Sequence, residues 1–208
     1  MKTKFISLIL ALLSSSTFVY AQENATKESL QETLDTYMVL AENLDMAGTF
    51  KYLPPKVLEM IPPEALEQNM DELFKKPGMH MKLYGSKITH IHDFVKTDQG
   101  VYTLVDYEVT MEMGLPEEEE ETVSDAESEE EDELDAIEFT RSILAMQHGE
   151  ENVKYDEEQG FFIIHAKNTM YAIYEKGFDG WKFFEKKDDG QGAVMMGIIT
   201  EEVSEKLK

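Results

Sequence analysis

One long stretch of strict alternation, residues 101–113 ("VYTLVDYEVTMEM"), constrains the fold more than any other part of the chain. Side chains alternate between the two faces of a β-strand, so odd-numbered and even-numbered residues separate here. The odd-numbered face is mostly apolar, whereas the even-numbered face carries Asp106, Glu108 and Glu112. The pattern predicts a long antiparallel strand with one buried and one wet face. Residues 83–96 are its expected hairpin partner.

Helical patterns precede this sheet. From Ser29, apolar residues recur at three- and four-residue spacing, which predicts an amphipathic helix ended by Gly48. Residues 52–76 contain two proline pairs, each expected to open a short helix. Residues 138–148 fit either a helix or a strand, and we favour a helix. Further strands, among them residues 160–166 and 169–175, and a short tail helix complete a predicted α+β fold. In this fold the helices pack on a curved antiparallel sheet as a cone-like roll.

The N-terminal 21 residues have the features of a signal peptide. Lys2 and Lys4 precede an apolar run, and the small residue Ala21 marks the expected cleavage site. These features predict an exported protein, periplasmic or secreted. The apolar run is too short to cross a bilayer, so no stable membrane anchor is expected. Residues 22–28 are expected to be flexible, and residues 29–208 to form a single domain. The chain has no cysteine, so neither a disulfide nor a lipidated cysteine can form.

The chain is strongly acidic, with a formal net charge of −24, and thirteen of its acidic residues lie between positions 116 and 135. Like charges at this density oppose collapse, so we expect a disordered insertion that gathers cations diffusely. Such a surface repels nucleic acid and anionic membranes, and it suits basic partners. No segment has the ligand spacing of a calcium-binding loop.

Two segments, residues 44–55 ("LDMAGTFKYLPP") and 170–185 ("MYAIYEKGFDGWKFFE"), resemble the nuclear transport factor 2-like (cystatin-like cone) superfamily. The chain is similar in particular to small exported domains of Bacteroidetes-like bacteria, over residues 29 to 187. The resemblance implies a sheet wrapped around the long helix, and it allows a homodimer through the open sheet face. The superfamily contains both enzymes and binding modules, so it leaves the function open.

Two functional hypotheses follow. The first is a non-catalytic exported module that binds an unknown small molecule or protein, with Tyr107, Tyr171 and Trp181 as candidate ligand-binding residues. The alternative is a small isomerase- or hydrolase-type enzyme, in which Asp93 or His165 would be the ionisable residue inside the cone. No cofactor is expected in either case.

A metal site is a further candidate. His90 and His92 occupy alternate positions of a predicted strand, so both imidazoles could reach one metal ion. Without a third ligand, the pair is equally compatible with two half-exposed histidines beside apolar neighbours.

Overall fold

The computed structural model describes residues 24–74, 76, 78–115, 126–187 and 191–207. The predicted signal peptide lies outside these ranges, as does the first half of the acidic run. No helix in the described ranges is both long and apolar enough to cross a membrane.

The predicted α+β class is confirmed, because helices pack on a six-stranded antiparallel sheet. The helices, in chain order, are α1 (Lys27–Glu42), α2 (Met46–Phe50), α3 (Pro55–Met60), α4 (Pro63–Phe74), α5 (Ala126–His148), α6 (Gln191–Met195) and α7 (Glu201–Lys206). The strands are β1 (Met81–Ile91), β2 (Val95–Lys96), β3 (Gly100–Gly114), β4 (Val153–Asp156), β5 (Phe161–Glu175) and β6 (Lys182–Glu185). Both helices at the proline pairs, α3 and α4, are present as predicted.

The sheet is built around β3, which pairs with β1 on one side and with β5 on the other. The β3–β5 ladder runs without a register shift from Gly100 opposite Glu175 to Gly114 opposite Phe161. The sequence suggested two strands, 160–166 and 169–175, where the structure has the single strand β5. Lys167 and Asn168 lie between the two predicted segments and continue the alternation of side chains, so the strand is not broken there.

The inner face of the sheet, defined by the odd-numbered residues of β3, is covered by two helices. Leu30 and Leu34 of α1 are fully buried against one half, in a cluster that includes Val101 and Val105. Leu144 of α5 packs against the other half, in a cluster built around Phe162, Ile164 and Ala166. Burial of these side chains removes apolar surface from water and holds both helices on the sheet.

The opposite, outer face is only half wet, which corrects the prediction for the even-numbered residues. Tyr102 and Leu104 are buried under the C-terminal helices, in a cluster with Ile198, Val203 and Leu207. The predicted tail helix therefore packs back on the sheet, and it covers the first half of this face. The second half, from Asp106 onward, has no helix over it among the described residues.

The ends of α1 differ from prediction. Residues 24–28 are not frayed, because Ala25 is buried in the core and Thr26 forms a capping box with Ser29. The helix ends at Glu42 rather than at Gly48, which lies buried inside α2. The backbone N–H of Gly48 donates to the Asp45 carboxylate at 2.9 Å, so this glycine belongs to a helix start instead of a helix end.

Helix α5 confirms the preference for a helix over residues 138–148, but it begins at Ala126. The second half of the predicted disordered insertion, residues 126–135, is therefore helical. Glutamate is a good helix former, and negative charge near a helix N-terminus interacts favourably with the helix dipole. Residues 116–125 lie outside the described residues, so the prediction of disorder is untested there.

Candidate functional site

The open half of the outer sheet face carries a dense group of polar side chains, which we call the outer patch. Strand pairing brings its members together, because residues opposite one another in a sheet share a face. The outer patch consists of His80, Lys82, Tyr84, Lys87, His90 and His92 on or beside β1, Asp106, Glu108, Thr110 and Glu112 on β3, and His165, Lys167 and Thr169 on β5. It holds four of the five histidines of the chain.

Two β-bulges in β1 create this arrangement. The register between β1 and β3 shifts once between Tyr84 and Lys87, at Gly85 with a φ of 68°, and again between Ile88 and His90. A bulge inserts one extra residue and therefore exchanges the two faces beyond it. As a result Ile88 and Ile91, three residues apart, both pack on the inner cluster, while His90 lies opposite Asp106 on the outer face.

The best-connected part of the patch is centred on Asp106. One carboxylate oxygen, Oδ2, lies 2.8 Å from Nε2 of His92, and the other, Oδ1, accepts a 2.7 Å hydrogen bond from the hydroxyl of Thr169. Partial burial alone would raise the pKa of Asp106, but the hydrogen bonds from Thr169 and His92 and the nearby imidazole of His90 lower it overall. The carboxylate is thus held in its charged form.

A second connected group lies at the other end of the patch. Nε2 of His80 lies 3.1 Å from Oε2 of Glu112, and Nζ of Lys82 lies 3.8 Å from Oε1 of the same residue. The hydrogen bond with His80 is the main reason that the pKa of Glu112 is lowered. The His80 ring also stacks on Phe161, with 4.9 Å between ring centroids, and Lys82 lies over the ring of Tyr84.

The predicted histidine pair is brought together, since the rings of His90 and His92 meet edge to face with centroids 4.5 Å apart. Nε2 of His92 nevertheless forms a hydrogen bond with the Asp106 carboxylate. This nitrogen is therefore already engaged and is not free to bind a metal ion. Within the described ranges, no group of three or more His, Cys, Asp or Glu side chains could hold a metal ion. The structure thus places the two histidines together beside Asp106.

The two candidate catalytic residues lie away from the inner face. Asp93 is exposed in the segment between β1 and β2, outside any strand. His165 is exposed on the outer patch, where its Nδ1 lies 3.1 Å from the hydroxyl of Thr110. Neither side chain has the desolvated surroundings that the enzyme hypothesis requires.

The three candidate aromatic residues are not neighbours. Trp181 is buried under α1 on the inner face, whereas Tyr171 is buried on the outer face under the C-terminal helices. Tyr107 is half-buried on the inner face, where burial and the nearby carboxylate of Glu185 raise the pKa of its phenol. The structure therefore divides this set between the two sides of the sheet.

A groove beside α1 was not anticipated from the sequence. Its volume is about 430 Å³, and Trp181, Lys182, Tyr52 and Thr36 are among its lining residues. The buried ammonium of Lys182 contacts the Asp179 carboxylate and the backbone carbonyl oxygen of Lys51, both at 2.5 Å. Because the charge of Lys182 is already paired with Asp179, the groove offers a ligand no unpartnered charge from this lysine.

Comparisons with protein-family models, curated proteins and solved structures found no match to this chain. Its function therefore has to be inferred from its own residues. The sequence alone did not identify the contacts that Asp106 makes with His92 and Thr169. The two bulges that bring this part of β1 beside Asp106 leave no recognisable sequence signal.

Proposed function

We propose that this protein is an exported, non-catalytic interaction module that binds a protein partner through the outer patch. The observation that carries the proposal is the location of the acid–base groups. They lie on an open sheet face and contact one another, as in the pairs His92–Asp106 and His80–Glu112. General acid–base catalysis instead favours an ionisable group in a desolvated pocket, where its pKa is tuned toward the working pH.

The packing of the inner face also supports a binding role. The space that a cone-shaped enzyme would keep for substrate is filled by Leu30, Leu34 and Met38 of α1. The ionisable groups beside it include the phenols of Tyr37 and Tyr107, and burial is the main cause that raises the pKa of each. The nearby carboxylate of Glu185 is exposed to solvent, with 46% of its side chain accessible. Phenols with raised pKa values remain protonated at neutral pH and are poor general bases.

The charge pattern of the outer patch fits a protein partner. Three lysines (82, 87 and 167) balance three carboxylates (106, 108 and 112), so the patch has no formal net charge in a chain of −24. Its ligand is therefore selected by the arrangement of both signs of charge. Complementary arrangements of this kind give protein–protein interfaces their specificity. Tyr84 of β1 adds a half-buried aromatic ring of the kind enriched in such interfaces.

Site-specific photo-cross-linking in cells that naturally produce the protein tests this proposal. A benzophenone side chain at Tyr84 should give a discrete adduct with one protein, and the adduct should be lost when Lys82 and Lys87 are both changed to Glu. The matched control places the same group at Val39, an exposed position on α1. Equal adducts from both positions would contradict the proposal.

A thermal-shift panel of metabolites and divalent metal chlorides tests the alternative. A non-catalytic protein binder should show no large shift with any member. A shift of several degrees that disappears in the Trp181→Phe variant would replace the proposed function with small-molecule binding at the groove beside α1.

N-terminal sequencing of the exported protein tests the proposed export. The sequence should begin at Gln22, and an intact Met1 would contradict export through a cleaved signal peptide.

A further inference from the structure

Helix α5 carries a row of large apolar side chains that are exposed in the part of the chain that the structure describes. Phe139, Ile143 and Met146 are 68%, 40% and 87% exposed. Their spacing of four and then three residues places them on one side of the helix. Single exposed apolar residues are common on protein surfaces, but a continuous helical row is typical of a docking surface. We call these three residues the α5 stripe.

The α5 stripe is not the side of the helix that holds α5 on the sheet. That role belongs to Ile137 and Leu144, which pack in the cluster around Phe162 and Ile164. At 100° per residue, the middle of the stripe lies about 130° around the helix from Leu144. The C-terminal half of the helix therefore has two apolar sides, and among the residues that the structure describes only one of them is buried.

The same helix is strongly charged. Its 23 residues include eight carboxylates and one arginine, and seven of the eight precede Ala136. By sequence, α5 thus has an acidic N-terminal half, and its C-terminal half carries the α5 stripe.

We infer that the α5 stripe is a docking site for a basic amphipathic helix of a partner protein. Apolar side chains of that helix would cover Phe139, Ile143 and Met146, and its lysines or arginines would face the acidic half of α5. Charge complementarity selects this occupant. An anionic membrane surface would be repelled by the carboxylates, and a second copy of a chain with a net charge of −24 would meet the same repulsion.

This surface is distinct from the outer patch. Helix α5 covers the inner face, so the stripe and the patch lie on opposite sides of the sheet. The inference consequently does not depend on the proposed function, and the two can fail separately: the cross-linking at Tyr84 reports on the patch alone.

The experiment measures binding of a labelled model peptide by fluorescence anisotropy. The peptide contains only leucine and lysine, with the leucines spaced to form one helical face, and the control peptide has the same composition in scrambled order. The purified mature protein should bind the amphipathic peptide more tightly than the scrambled one. Raising NaCl from about 50 to about 300 mM should weaken binding, because screening reduces the attraction between opposite charges.

Matched variants assign the binding to the stripe. Phe139→Ser combined with Met146→Ser should weaken amphipathic-peptide binding about tenfold or more. Val39→Ser combined with Met195→Ser removes two apolar side chains that are also exposed, and it should leave binding unchanged. Phe139→Leu keeps the apolar contact and should retain most of the affinity. Unchanged melting temperatures establish that every variant is folded.

Three results would overturn the inference. Equal affinity for the amphipathic and scrambled peptides would mean that charge alone drives binding. Unchanged affinity in the stripe variant would place the contact elsewhere. Self-association of the wild type in sedimentation velocity, lost in the stripe variant, would identify a second copy of the chain as the occupant.

Discussion

The indole N–H of Trp181 donates a hydrogen bond to the hydroxyl oxygen of Ser29 at 3.1 Å. This contact joins the first turn of α1 to the start of β6, across almost the whole folded chain. Ser29 also belongs to the capping box with Thr26, and its hydroxyl donates to the backbone carbonyl of Asn24 at 2.7 Å. A single hydroxyl therefore stabilises both the helix start and the packing of the only tryptophan.

Replacing Ser29 with alanine should lower the free energy of unfolding by about 1–2 kcal/mol, because the cap and the indole partner are lost together. Urea denaturation followed by the fluorescence of Trp181 measures the change. The matched control is Ser142→Ala, which removes an exposed hydroxyl that donates to the carbonyl of Glu138 within α5. A loss no larger than in the control would mean that the Trp181–Ser29 contact contributes nothing in solution.

The orientation of α5 predicts opposite outcomes for two adjacent residues. Leu144 is 7% exposed and packs on the sheet, whereas Ile143 is 40% exposed. Leu144→Ala should cost about 2–3 kcal/mol of stability, because it removes apolar contacts and leaves a cavity, whereas Ile143→Ala should cost less than about 1 kcal/mol. Denaturant midpoints of the two variants test this difference. Equal losses would contradict the rotation of the helix on which the α5 stripe depends.

Asp106 should make stability depend on pH in the acidic range. Its pKa is lowered in the folded state, so the stability it contributes is present above the unfolded-state pKa, about 3.9, and is lost as pH falls through the folded value. Asp106→Asn should therefore be less stable than the wild type near neutral pH, and the difference should shrink below about pH 4.

Thermal melts of the wild type and Asp106→Asn at several pH values measure this gap. Asp98→Asn, which changes an exposed carboxylate near the β2–β3 connection, is the matched control. A gap between Asp106→Asn and the wild type that stays constant down to about pH 3 would exclude the contribution of Asp106 ionisation.

Tyr102 should have the opposite effect at alkaline pH. Its side chain is 1% exposed, and its hydroxyl donates to the Glu175 carboxylate at 2.6 Å. Burial, followed by this hydrogen bond, raises the pKa of Tyr102. A raised pKa contributes stability below the unfolded-state value, about 10, that is lost as pH rises above it.

Tyr102→Phe should therefore lose less stability than the wild type between about pH 9 and 11, although it begins about 1 kcal/mol lower at neutral pH. Chemical denaturation across this range provides the measurement. Parallel stability curves for the two proteins would argue against a buried, protonated phenol.

The sequence predicts those parts of the fold in which a local repeat matches one regular element. The alternation of residues 101–113 identified β3, and the spacing of Leu30 and Leu34 identified α1. The half-covered outer face could not be read in the same way. Burial of Tyr102 depends on the distant Val203 and Leu207, and no local pattern in β3 encodes that contact.

The candidate site was harder to predict because its geometry arises from irregular backbone. His90 and His92 were expected on one face and do share it, but only a bulge puts that face opposite Asp106. Trp181 and Tyr171 look alike in the sequence as aromatic residues of one hairpin. One extra position along a strand reverses the direction of a side chain, and these two residues accordingly belong to opposite cores.

The two bulges of β1 also affect how this molecule behaves beside its own copies. β1 is an edge strand of the sheet, so another chain could add a strand along its unpaired edge. Addition of a strand needs an unbroken row of amide and carbonyl groups, and breaks in register at Gly85 and before His90 interrupt that row. The bulges that assemble the outer patch thus also disfavour edge-to-edge aggregation of the sheet. A β1 without these bulges would lose both the outer patch and this protection.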